Sequence, residues 1–134
     1  MTPVPVTLLT AAAAVFVNVW LGYRIAQHRH QFKVSVGDGG HEPLLRRMRA
    51  QSNFIENAPF FLILLGALEA SGGNRTALAA IAVIFILSRI AHPIGMDGGE
   101  LGRWRRYGIM GTTLTTVALA VWAIICAAEA FSGR

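Results

Sequence analysis

Four apolar runs constrain this chain before any other feature does. They cover residues 4–26, 54–70, 77–94 and 109–128. A helix needs roughly 20 apolar residues, each rising about 1.5 Å, to cross the hydrocarbon core of a bilayer. The first and fourth runs meet that requirement outright. The second is interrupted by Glu56, Asn57 and Pro59, and the third by Arg89 and His92. Both cross only if those polar side chains face other helices. The charge content agrees with spanning helices: 14% of the residues are charged, against about 25% in a soluble domain. The expected fold is all-α, an integral membrane four-helix bundle running up-down-up-down, as one domain over residues 1–134.

The first run reads as a retained span. A cleaved signal peptide begins with basic residues, whereas here Met1-Thr2-Pro3-Val4-Pro5 has none and the basic residues follow the run. Arg24, Arg29, Lys33, Arg46, Arg47 and Arg49 lie in or beside the first connection, and Arg103, Arg105 and Arg106 follow the third run. The other side has Arg75 and Arg134. Nine positive residues against two place the first and third connections in the cytoplasm, with both termini and the turn near residues 71–75 outside it. Membrane topology and anionic head groups therefore account for the net charge of +5; nucleic acid is not an expected partner. The lone Cys126 has no internal disulfide partner and reads as a packing residue.

Helix one is expected to end near His28 to Gln31. The connection from Lys33 to His41 is rich in turn residues, with Gly37-Asp38-Gly39-Gly40 at its centre. Helix two should start near Leu44, with Pro43 in its first turn, and run through Pro59. Ser71-Gly72-Gly73-Asn74 is a tight reversal. Helix three should end between Pro93 and Met96, Asp97-Gly98-Gly99-Glu100 should form the second cytoplasmic turn, and helix four should begin between Leu101 and Trp104. Small residues along the spans, Gly108 and Gly111 among them, allow close helix approach.

Three polar sets break the apolar pattern. Arg49, Asn53 and Glu56 stand at i, i+4 and i+7, on one helical face. Arg89 and His92 share a face one turn apart. Arg103, Arg105, Arg106 and Tyr107 open helix four. Ionisable groups at membrane depth are costly and need partners. One arrangement has Arg89 and Glu56 neutralising each other between helices two and three, His92 serving a carbonyl freed near Pro93, and Arg46, Arg47 and Arg103 anchoring in the interface. The other is a net-positive cavity near the cytoplasmic side for a small polyanion, since guanidinium groups hold carboxylates bidentately. The histidines His28, His30 and His41 lack the carboxylate or cysteine partners of a metal site, so no metal is expected.

The string Arg49-Ala50-Gln51-Ser52-Asn53-Phe54-Ile55-Glu56-Asn57-Ala58-Pro59 resembles the signature Arg-Ala-x-x-Asn-x-x-Glu-x-x-Pro of the MAPEG superfamily, the membrane-associated proteins in eicosanoid and glutathione metabolism. Ser88-Arg89-Ile90-Ala91-His92 is similar to the family's Arg-x-x-His on helix three. The segment from Lys33 to Gly40 is similar to the first cytoplasmic loop of small bacterial members. The resemblance covers nearly the whole chain.

It implies a homotrimer in the bacterial inner membrane that binds glutathione as co-substrate between adjacent protomers. Arg49, Asn53 and Glu56 would hold its polar ends, with Arg89 and His92 in the same cavity. Arg105 matches the family's thiol-activating arginine best, with Arg106 next. The implied activity is a glutathione-dependent transferase or peroxidase acting on a hydrophobic small-molecule co-substrate dissolved among the membrane lipids. The alternative is a non-catalytic membrane protein that binds a lipid or an anionic metabolite. Ser52 and Met96 stand where eicosanoid synthases carry arginine and tyrosine, so specialised prostaglandin or leukotriene synthesis is not expected.

Overall fold

The computed structural model describes residues 3–98 and 102–133. It consists of α1 (Pro5–Phe32), α2 (Glu42–Ala70), α3 (Arg75–Asp97) and α4 (Arg103–Phe131). Each helix contains a window long and apolar enough to cross a membrane. Gly99 and Glu100 of the expected second turn, and Leu101 at the earliest expected start of helix four, lie outside the described residues.

Local chemistry sets the helix ends. Pro5 and Pro43 occupy the first turns of α1 and α2, where a missing N–H costs nothing. Lys33 ends α1 in a left-handed conformation, φ 55°, its N–H turned back to the carbonyls of Arg29 and His30. After α2 the chain reverses within four residues. Gly73 N–H donates to Leu68 O at 2.9 Å, and Gly72 takes φ 86°, which a residue without Cβ adopts freely. Asn74 then caps α3 by accepting from Ala77 N–H at 3.0 Å.

Two polar clamps hold the ends of the bundle. At one end the guanidinium of Arg24 pairs with the Asp97 carboxylate, Arg47 Nε lies 3.5 Å from the same group, and Arg47 also donates to Arg24 O at 2.8 Å. Asp97 therefore belongs to α3, one residue beyond the expected helix end, because its carboxylate is anchored to α1 and α2. At the other end Glu69, 1% exposed, accepts from the N–H groups of Val6 and Thr7 at 3.0 and 2.8 Å and from Thr7 Oγ1 at 2.7 Å. These are first-turn amides of α1, which has no side-chain cap of its own. A carboxylate there satisfies orphan donors and opposes the positive end of the helix dipole.

The clamps also give the direction of the chain. The end of α1, the start of α2, the end of α3 and the start of α4 meet at the Arg24 end, so successive helices alternate as expected. The packing is nevertheless not a closed ring of four. α1 lies on α2 and α3, α4 lies on α3 and α2, and among the described residues α1 and α4 make no close approach. The central pair is locked by Phe61 and Phe85, whose rings stack with centroids 3.7 Å apart. Outward-facing Leu9, Phe16, Ile63 and Ile124 are largely exposed. Such a surface is a liability in water but matches lipid tails in a bilayer.

Replacing Glu69 with alanine leaves Val6 and Thr7 N–H without their acceptor. The expected loss is about 1–3 kcal/mol of stability, read as a lower unfolding midpoint in detergent; an unchanged midpoint contradicts the capping role.

Candidate functional site

The site begins with a seam between α3 and α4. Ser88, His92 and Gly95, at i, i+4 and i+7 on α3, face Gly111, Gly108 and Arg105 on α4. A Cβ on Gly108 would lie 2.7 Å from His92 Cα, and one on Gly95 or Gly111 would overlap Arg105 or Ser88. Only glycine admits this approach, and the approach sets Arg105 beside the last turns of α3.

Arg89 joins a third helix to the seam. It is 2% exposed. Its Nη1 donates to Asn53 Oδ1 on α2 at 2.8 Å, and its Nη2 donates to Gly108 O on α4 at 3.3 Å. Thr112 Oγ1 donates to the same carbonyl at 2.8 Å. This corrects the expected pairing of Arg89 with Glu56. Asn53 lies one turn closer to the basic end and takes the guanidinium, while the Glu56 side chain turns outward and is exposed. His92 is buried, and among the described residues its side chain forms no hydrogen bond, so the expected link to a carbonyl near Pro93 is not made.

Above the Arg89 tie lies an open cleft of about 280 Å³. Arg49, Ser52, Asn53 and Glu56 line it from α2, His92 and Met96 from α3, and Arg105 and Ile109 from α4. A second hollow of about 290 Å³ shares Arg49, Met96 and Arg105 and extends to Glu42 and Arg46, whose side chains are hydrogen-bonded to each other. The structure thus gathers Arg49, Asn53, Glu56, His92 and Arg105 at one place. It does not bring in two others: Arg89 sits behind the lining as a brace, and Arg106 is exposed on another face of α4. Two guanidinium groups and one carboxylate can receive a ligand bearing both carboxylate and ammonium groups. The Arg105 guanidinium lines the cleft and forms no hydrogen bond or ion pair among the described residues, its buried Nε included, so the group is uncommitted.

Sequence reasoning passed over Ile109 as a lining residue and noticed Met96 only as a departure from other proteins. Helical spacing holds the signal for both: Met96 follows His92 by four residues, and Ile109 follows Arg105 by four. The Arg24–Asp97 pair and the Glu69 cap join residues 73 and 62 or 63 positions apart, a separation at which local pattern carries no pairing information.

Fold and site together define an all-helical membrane protein with an arginine-rich cleft at the basic end of its bundle. The model of the MAPEG family matches residues 7–125, and the chain belongs to that family. The inner membrane protein YecN of Escherichia coli strain K12 is 26% identical over 107 residues, covering 80% of this chain and 81% of YecN. YecN of Escherichia coli O6:H1 strain CFT073 matches with the same figures. The four apolar helices and this likeness support an integral protein of the bacterial inner membrane.

The brace and the exposed Arg106 should behave differently. Arg89→Ala is expected to lower stability by about 2–3 kcal/mol, since a buried charged donor to two helices is lost. Arg106→Ala should change it by no more than about 0.5 kcal/mol. Equal unfolding midpoints for the two variants would contradict this assignment.

Proposed function

We propose that the cleft binds glutathione and that the protein is a glutathione-dependent transferase or peroxidase acting on hydrophobic electrophiles. The observation that carries this reading is the convergence of Arg49, Asn53, Glu56, His92 and Arg105 from three helices on one cavity. Family membership adds to it, because glutathione is the co-substrate that the MAPEG resemblance implies. Arg49 suits a carboxylate of the tripeptide, Glu56 its ammonium, and Asn53, already oriented by Arg89, offers its amide. The outward exposure of Arg49 and Glu56 is consistent with a homotrimer in which a second protomer closes the cleft. The charge bias supports a cytoplasmic position for this end of the bundle.

Arg105 is the residue assigned to the sulfur. A free thiol has a pKa of about 8.5, so little thiolate exists at neutral pH. Lowering that value by about two units takes roughly 2.7 kcal/mol. A charge-assisted hydrogen bond of about 1.5–3 kcal/mol supplies most of it, and the Arg105 guanidinium, which lines the cleft and is uncommitted among the described residues, is the group to make it. The thiol proton passes to solvent. The thiolate then attacks an electrophilic carbon and the leaving group departs with its electron pair.

A second reading has its own observation. Ser52 and Met96 line the cleft at the positions where eicosanoid synthases carry arginine and tyrosine. A wall with fewer donors suits a non-catalytic binder of a lipid or anionic metabolite, in which the arginines hold the ligand without activating it.

Turnover of glutathione with a chlorodinitrobenzene acceptor separates the readings. Arg105→Ala should lower kcat by up to about 100-fold, the equivalent of two pKa units, with a smaller change in glutathione Kd. Lost binding with unchanged turnover per bound ligand would reverse the assignment. Absence of turnover in the folded wild-type protein would favour the binding protein.

A further inference from the structure

A larger hollow lies on the other side of the α3–α4 seam. It is a groove of about 650 Å³ lined, apart from Ser88, by apolar and aromatic side chains, among them Leu87, Ala91 and Ile94 of α3 and Trp104 and Tyr107 of α4. None of the residues assigned to the cleft lines it. From Ile94 to Ile84 the groove follows α3 for ten residues, about 15 Å of rise. That is half of the roughly 30 Å hydrocarbon thickness, the depth of one leaflet. Trp104 and Tyr107 stand at its mouth, their rings edge to face with centroids 6.5 Å apart. Amphipathic aromatics of this kind mark the membrane–water boundary.

A cation lies close to this end in the helical register. Arg103 is exposed in the first turn of α4, one turn before Tyr107 and on the same side of the helix. An apolar slot one leaflet deep, with aromatics at its interfacial end and an exposed guanidinium one helical turn from Tyr107, matches a molecule with an acyl chain and an anionic head. We infer that the α3–α4 groove is a binding site for an anionic phospholipid of the leaflet at the basic end. The acyl chain lies along Leu87, Ala91 and Ile94, and the phosphate meets Arg103. Charge complementarity selects this occupant over a zwitterionic lipid, because one arginine beside an anionic surface contributes about 1 kcal/mol, roughly a fivefold preference.

Native mass spectrometry of the full chain with equal phosphatidylglycerol and phosphatidylcholine tests the site. The wild type should retain phosphatidylglycerol about fivefold more often, Arg103→Gln should reduce that ratio to near one, and Ala91→Trp, which fills the groove, should lower retention of both lipids. Equal retention of the two lipids by the wild type overturns the proposal, as does an undiminished preference in Arg103→Gln. Location is read separately from quenching of Trp104 by dibrominated phosphatidylglycerol in a Trp20→Phe/Trp122→Phe background. Strong quenching is expected; a Trp104 shielded from brominated chains would mean that protein covers this face, and would also overturn the site.

Discussion

A buried arginine governs this structure. A guanidinium inside a membrane bundle must be surrounded by acceptors, and Arg89 finds them on the helices to either side, at Asn53 of α2 and Gly108 of α4. The requirement works in both directions. Arg89 holds α2 and α4 against α3, and its acceptors fix the orientation of Asn53 and the height of Gly108. The glycine contacts at Gly95, Gly108 and Gly111 bring the α4 backbone near enough for the guanidinium to reach the Gly108 carbonyl. Without the close seam the arginine would lack one acceptor, and without the arginine the cleft would lose its floor.

The bundle distributes polarity unevenly for the same reason. Each charged side chain at depth is tied to something: Arg89 to Asn53 and Gly108, Arg24 to Asp97, Glu69 to the first amides of α1. Arg24, Arg47 and Arg89 each keep one nitrogen without a hydrogen bond but are otherwise tied, whereas at the cleft Arg49 and Glu56 are exposed and neither they nor Arg105 form a side-chain hydrogen bond or ion pair among the described residues. A protein that needed these residues for stability alone would pair them as it pairs the rest. Their openness in a hollow shared by three helices is the physical basis for reading the cleft as a ligand site.

Much of this was legible in the sequence, and the part that was not has a definite cause. The four apolar runs announced the four helices, and the 3.6-residue period put Arg49, Asn53 and Glu56 on one face, because both properties are local. Family membership was visible in the motif from Arg49 to Pro59, and the family match over residues 7–125 shows it. Period alone could not choose the partner of Arg89. Asn53 and Glu56 both face the cleft, and the choice depends on the axial offset between α2 and α3, which no single helix encodes. The same holds for Asp97, placed by sequence in a turn and held in α3 by arginines from two other helices, and for Glu69, which the sequence pattern did not single out and whose partners lie at the start of α1. Arg105 and Arg106 are adjacent in sequence, and only the seam at Gly95 shows which of them enters the cleft.

The most direct test of a thiolate-stabilising cleft is ultraviolet difference absorption on mixing the folded wild-type protein with glutathione at neutral pH. Thiolate absorption should develop with saturable dependence on glutathione and should be absent for Arg105→Ala at saturating ligand. Saturable glutathione binding by the wild type with no thiolate signal would contradict the account.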